Sequence, residues 1–307
     1  MLVYILRRLA YSVVTLLVLS LTVFLIVRAT GDPARVIAGA EASAEEVERV
    51  RTELGLDRSL VTQYGDFVGD LVRGDLGRSF QFRQPVLDVY LDRLPRSLLL
   101  ASTAFGLSIL IGVPAGVLTA VRPRGIAARV LKVISLTGVS VPNFVIATLL
   151  IYVFSVRLQG ALPTSGTGTA KHLVMPTIAL GWYFAAATMR LTQSSMLEVM
   201  RGEFVKLARL KGVPEYLVVL KHALKNALIP VLTLSAVNFV VMVNVAVVIE
   251  SIFAWPGIGD LVYVGITQRD FPLVQGVLLL GGVMVVLVNL TLDIVYAWLD
   301  PRIRLNR

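Results

Sequence analysis

Six stretches of this sequence run for 17 to 25 residues without one charged side chain: 9–27, 97–121, 133–156, 173–189, 226–249 and 273–292. A helix of about 20 apolar residues crosses the roughly 30 Å hydrocarbon layer of a bilayer. A soluble domain carries about 25% charged residues, whereas this 307-residue chain carries 16% and is 56% hydrophobic. These figures exclude collagen, coiled coil and disorder. The expected fold class is all-α integral membrane with six transmembrane helices, spans near 9–28, 97–121, 132–157, 173–193, 226–250 and 273–299. The fourth run is the weakest; it is either short or extended by tucking Arg190 into the bundle.

Two features orient the spans. Arg7 and Arg8 precede the first run, which is longer than the 7–15 apolar residues of a signal peptide. A faint cleavage pattern, Ala38-Gly39-Ala40, lies more than ten residues past its end. A retained anchor is therefore expected. With both termini inside, the inner segments hold 16 Lys plus Arg against 5 Asp plus Glu, and the outer segments 13 against 15. Most outer basic residues sit in one loop too long to count in the positive-inside rule. The net charge of +9 thus reads as membrane topology and not as a nucleic-acid surface.

The long outer loop, 29–96, reads as partly helical. Ser43 and Glu46 form a capping box, Gly55 offers a stop, and a second amphipathic piece follows over 63–72. Gly74-Asp75-Leu76-Gly77 marks a turn, and 85–94 suits a further short helix. The loop is either a solvated connector or a surface that meets a partner outside.

The inner segment 194–225 is longer than an ordinary bundle connection. Leu197, Met200, Phe204, Leu207 and Ala208 repeat at helical spacing. Gly212 then offers a helix stop, and Pro214 suits the first turn of a new helix. Helix, break and short helix on the cytoplasmic surface is the expected order. Such an element either anchors the bundle at the interface or docks a cytoplasmic protein.

Within the spans, Pro114, Pro142, Pro176 and Pro230 are expected to bend helices. Gly112 and Gly116 form a GxxxG that lets helices approach closely. Asn143, Asn238 and Asn244 are candidates for lining a polar path, a role that competes with simple interhelical bonding. Arg28, Arg157, Glu250 and Asp293 fall at span ends, where snorkelling satisfies them. Phe253 and Trp255, in the outer segment 251–259, read as interface anchors.

Catalytic signatures are missing. The chain has no Cys, no phosphate-binding G-x-x-x-x-G-K-[ST], no H-E-x-x-H and no G-x-S-x-G. Its two histidines, His172 and His222, are 50 residues apart. No bound cofactor or metal is expected, so energy for transport must come from elsewhere.

Several separate stretches resemble the B-type permease subunit of the dipeptide/oligopeptide ABC importers. They are Arg7-Arg8, Gly31-Asp32-Pro33, Glu53-Leu-Gly-Leu-Asp57, Arg73-Gly-Asp-Leu-Gly-Arg-Ser-Phe80, Arg93-Leu-Pro95 and Val141-Pro142. Further along come Lys206-Leu-Ala-Arg-Leu-Lys-Gly212, His222-Ala-Leu-Lys-Asn-Ala-Leu-Ile-Pro230, Phe253-Ala-Trp-Pro-Gly-Ile-Gly259 and Leu299-Asp-Pro-Arg302. The resemblance implies a type I importer permease fold in the bacterial cytoplasmic membrane. It implies a homologous C-type permease, two cytoplasmic ATPase subunits that hold ATP and Mg, and an extracytoplasmic peptide-binding protein. The ATPase-coupling residues would be Lys206, Leu207, Ala208, Arg209, Leu210, Lys211, Gly212, Val213, Pro214, Glu215 and Tyr216. The general importer pattern has Glu-Ala-Ala ahead of the glycine; here Lys206 stands for the Glu and Leu207 for the first Ala. The implied function is uptake of short peptides by a non-catalytic subunit. Glutathione or a nickel chelate is the alternative solute, and a stand-alone channel or ion-coupled carrier the alternative mechanism.

Overall fold

The computed structural model describes residues 2–39 and 41–299. The C-terminal Asp-Pro-Arg302 motif, Ala40 of the faint cleavage pattern and the Asp293 side chain lie outside what is described. Among the described residues the secondary structure is helical, apart from one isolated bridge between Arg78 and Pro85. The chain divides into two compact units, Met1–Pro95 with Gly257–Arg307, and Arg96–Pro256.

In the first unit, α1 (Leu2–Thr30) packs along α13 (Phe271–Leu299). Between them in sequence come α2 (Pro33–Ala38), α3 (Ala44–Glu53) and α4 (Leu60–Val72). The capping box at Ser43 forms as expected: its hydroxyl accepts from Glu46 N–H, and Glu46 accepts in return from Ser43 N–H at 2.8 Å. The turn at 74–77 is closed by Gly77 N–H donating to Asp75 Oδ1 at 2.8 Å. Ser79 Oγ and Gln81 N–H both donate to Asp270 Oδ2, at 2.5 and 3.0 Å, while Asp270 Oδ1 accepts from Leu273 N–H. One buried carboxylate thus caps α13 and fastens the loop that precedes the helix starting at Val86. The core here joins Val86, Val89 and Tyr90 to Leu261 of α12 (Ile258–Thr267) and to Leu273 and Val277 of α13.

The helix expected over 85–94 and the span expected from 97 are one element, α5 (Val86–Val121), 36 residues long. Its later turns belong to the second unit with α6 (Ile126–Ser140), α7 (Asn143–Leu150, continued by a π-helical stretch Ile151–Arg157) and α8 (Ala170–Val199). Short α9 (Glu203–Leu210) and α10 (Glu215–Leu217) lead through a second π-helical stretch, Val218–Leu224, into α11 (Lys225–Ile252). The core gathers Leu100, Met175, Leu180, Phe184, Met242 and Ile249 about α8.

Among the described residues, four helical segments are long and apolar enough to cross a membrane: Arg7–Ala29, Val86–Val121, Glu215–Ile252 and Phe271–Thr291. The third expected span is not one rod. The α6 and α7 segments meet at 108°, because Val141, ahead of Pro142, is driven to extended backbone (φ −91°, ψ 122°). α8 has the length, 30 residues, but is more polar. Its buried face carries Thr188, Thr192 and Ser195, and a helix surrounded by protein has no need to be greasy. Arg190 is exposed and is not tucked into the bundle.

Two expectations about charges and aromatics are corrected. Glu250 does not snorkel: it is fully buried and accepts a 2.6 Å hydrogen bond from Ser97 Oγ. Phe253 and Trp255 are not interface anchors but core residues, and the Trp255 indole N–H donates to the Arg96 carbonyl at 3.1 Å. The sequence hides both facts because each residue stands at the end of an apolar run, where lipid-facing and core positions have the same composition.

Candidate coupling site

The segment after α8 is built around one glycine. α8 stops at Val199, earlier than the helical repeat suggested, and α9 begins after Gly202. The side chains buried under α9 are Val205 and Ala208, joined by Val218, with Val199 and Val213 packed against them. Phe204 and Leu207, which the repeat pattern placed on the apolar stripe, point outward instead.

At the C-terminus of α9 the chain makes a Schellman turn. Gly212 takes φ +75°, and its N–H donates to the Arg209 carbonyl at 3.0 Å. Val213 N–H reaches back to the Ala208 carbonyl at 3.2 Å, and Val213 packs on the Ala208 cluster. This is the hydrogen-bond and apolar pattern that a left-handed C′ residue allows. Pro214, with φ −56°, then starts α10. From Glu215 to Ile252 the helix is continuous for 38 residues. Any displacement of the turn therefore acts on one rod, which ends beside Glu250.

Charge closes the turn from outside. Arg209 donates to both oxygens of Glu215, from Nε at 3.1 Å and from Nη2 at 2.7 Å. These hydrogen bonds hold the Glu215 carboxyl below its ordinary value and raise the Arg209 guanidinium. Lys206 pairs with Glu203 at 2.7 Å. A carboxyl that titrates lower in the folded state contributes stability above its unfolded pKa, and that contribution is lost as pH falls through the folded value. The pair is solvent-exposed, so it is worth at most about 1 kcal/mol. Glu215→Gln is expected to lower the thermal midpoint slightly at pH 7. The difference from the parent should vanish once acid protonates Glu215, as read from paired melts across pH.

Around the turn, large apolar side chains are exposed. Leu210 is 85% exposed, Tyr216 65%, Leu207 52% and Phe204 46%. Of the eleven expected coupling residues, Ala208 alone is buried; it seats the helix, and Val213 is partly covered. Sequence reasoning missed Val205 and Val218, which form the seat with Ala208. Val205 and Ala208 are three residues apart, a signal that Phe204 and Leu207 masked.

The three path candidates lie on two helices, Asn143 on α7 and Asn238 and Asn244 on α11. Asn244 turns its amide back to the Val240 carbonyl at 2.9 Å. Asn238, six residues earlier, projects about 120° around the same helix. Asn143 opens α7 after the break. Among the described residues no hydrogen bond joins them.

Residues 112–305 match the family described as "Binding-protein-dependent transport system inner membrane component". Residues 1–101 match its N-terminal counterpart. The chain is 40% identical over 305 residues to the "Glutathione transport system permease protein GsiC" of Escherichia coli O6:H1, covering 99% of both chains. The same-named protein of Shigella flexneri serotype 5b is 39% identical over the same share. In fold, the chain resembles the MetNI methionine ABC transporter in an inward-facing form. That likeness has a TM-score of 0.56 at 20% identity, over 69% of this chain and 96% of that one. It also resembles an amino acid ABC transporter, with a TM-score of 0.54 at 15% identity, over 68% and 92%. The neighbours establish a type I importer permease fold, and the family matches run nearly end to end: the chain belongs to the inner-membrane component family of binding-protein-dependent transport systems, as a multi-pass permease subunit of an ABC importer.

Proposed function

We propose that this permease imports short peptides or peptide-like solutes, and that residues 206–216 couple it to a cytoplasmic ATPase. Relatives named for glutathione transport make that tripeptide the first solute to test. The chain forms half of the translocation path, opposite a homologous permease. Its two ATPase subunits hydrolyse ATP, an extracytoplasmic binding protein delivers the solute, and both termini lie in the cytoplasm. The observation that carries the coupling assignment is the row of exposed Phe204, Leu207, Leu210 and Tyr216 beside a rigid turn. Exposed apolar side chains clustered at one place mark a surface for a protein or a membrane, and the turn between two short helices fits the protein. Closure of the ATPases would press this turn, and the 38-residue helix would carry the movement into the spans. The population then shifts between inward-open and outward-open states.

The test is uptake in proteoliposomes holding the complete complex. ATP-dependent accumulation of labelled glutathione or dipeptides is expected, with no accumulation when ATP is replaced by a non-hydrolysable analogue. Uptake that persists without hydrolysis would overturn the coupling reading. A complex that transports only a solute of another class would overturn the substrate reading alone.

A further inference from the structure

The rod that leaves the coupling turn is fastened at its far end. Glu250, in the last turn of α11, is fully buried, and so is Ser97 of α5. Ser97 Oγ donates to Glu250 Oε1 at 2.6 Å. The Trp255 indole N–H donates to the Arg96 carbonyl at 3.1 Å. One residue of α11 and one of the turn after it thus hold two consecutive residues of α5. A third bond, from Gly166 N–H to the Phe253 carbonyl at 3.1 Å, holds the segment that leads into α8. All of these residues belong to the second unit.

The surroundings are apolar: Leu100, Ile249, Phe253 and Trp255 share one core cluster. An apolar side chain would fill the Glu250 position without the desolvation that a carboxyl undergoes there. Burial therefore does not account for a carboxyl, but direction does. Packed apolar helices slide past one another in small steps, whereas a hydrogen bond of 2.6 Å fixes one register. Backbone strain points the same way. Ala254 takes φ +44°, a left-handed conformation that favours glycine. Trp255 N–H donates to the Glu250 carbonyl at 2.8 Å, and Ala254 N–H to the Ser251 carbonyl at 3.3 Å. So α11 ends in the kind of turn that α9 makes at Gly212, here held without a glycine. That turn delivers the Trp255 indole to Arg96. Strained residues of this sort persist where surrounding contacts over-determine them.

We infer that Glu250, Ser97 and Trp255 are positioning residues for transport: they make α5 follow the rod when the coupling turn is displaced. This rests on the coupling reading of residues 206–216. Force applied at the turn moves α5 only if the far end of the rod cannot slip. α5 is in turn seated closely on α8 at Gly112 and Gly116, so movement at Ser97 reaches both helices. Without the tie, ATP hydrolysis continues while the spans lag behind it.

The experiment measures solute moved per ATP hydrolysed by the complete complex in proteoliposomes. The probe is labelled glutathione or a labelled dipeptide, whichever the parent complex accumulates. Ser97→Ala combined with Trp255→Phe removes both donors and keeps an aromatic ring. Hydrolysis should stay within about twofold of the parent, while solute moved per ATP falls about fivefold or more. Glu250→Gln keeps an acceptor for Ser97 and should keep the parent ratio. An unchanged ratio in the double variant would overturn the inference, whether hydrolysis is normal or is lost together with transport. So would a ratio in Glu250→Gln as low as in the double variant, which would mark the charge and not the hydrogen bond. Gly212→Pro separates the two readings, since it should lose hydrolysis and transport together. Normal function in Gly212→Pro beside a slipping double variant would overturn the coupling reading, with force entering the rod elsewhere. Should the double variant not assemble, spin labels at Leu99→Cys and Val248→Cys, both exposed, decide in its place. Their separation should be the same without nucleotide and with ATP trapped by vanadate. A changed separation would overturn the tie.

Discussion

Gly212→Pro is expected to leave the chain in the membrane and to abolish substrate-stimulated ATP hydrolysis by the assembled complex. Gly212 holds φ +75°, whereas a proline ring fixes φ near −65°. The substitution also removes the N–H that donates to the Arg209 carbonyl. The turn must then open, and the exit direction of the 38-residue helix changes with it. No apolar run is altered, so insertion is unaffected. A graded series separates backbone conformation from crowding. A Cβ at Gly212 would have nothing within 4 Å, so Gly212→Ala suffers only the left-handed strain, about 1–2 kcal/mol. Gly212→Asn, which tolerates that region, should remain close to the parent. ATPase assays with and without binding protein and solute rank the series. Normal stimulation in Gly212→Pro would remove the turn from the coupling path.

Gly116→Leu is the second large effect. At this position a Cβ would lie 2.5 Å from Thr192 Cβ and 2.6 Å from the Met189 carbonyl. At Gly112 it would lie 2.8 Å from the Ala185 carbonyl. Backbone atoms cannot swing aside, so α5 must separate from α8, the helix on which the second core is centred. Gly116→Ala is expected to cost about 1–3 kcal/mol, typical of overpacking. Gly116→Leu should prevent recovery of a monodisperse complex. Gly106, on the same helix, supplies the control, since a Cβ there meets nothing within 4 Å. Gly106→Ala should be neutral or stabilising, because alanine favours helix by up to about 1 kcal/mol over glycine. Thermal melts and size-exclusion profiles of the three variants read the contrast. Equal stability of Gly106→Ala and Gly116→Ala would deny the close approach.

What could be read in the sequence is whatever depends on local chemistry. Ser43 and Glu46 cap α3 through three residues of chain. Gly212 and Pro214 define their turn through backbone preferences alone. Gly112 and Gly116 signal close approach by having no side chain. The features that escaped depend on partners far away in sequence. Glu250 reads as a boundary charge until Ser97, 153 residues distant, is seen to donate to it. Asp270 carries no local signal at all, and its role appears only when Ser79 and Gln81 close on it. The outward turn of Phe204 and Leu207 follows from Val218, which takes the space beneath α9. A path-lining role for the asparagines is likewise illegible in the sequence, because residue type alone does not say which way a helix faces.

The chain contains no cysteine, so a single introduced thiol reports without background. Leu210→Cys places one on the most exposed apolar residue of the turn. In inverted and right-side-out vesicles of the assembled transporter, that thiol should cross-link to an ATPase subunit, with a yield that changes when ATP is bound. It should also react with a membrane-impermeant maleimide only from the cytoplasmic face, once the ATPases are stripped away. Labelling from the outer face, or a cross-link confined to the binding protein, would contradict the claim that this permease is driven through residues 206–216.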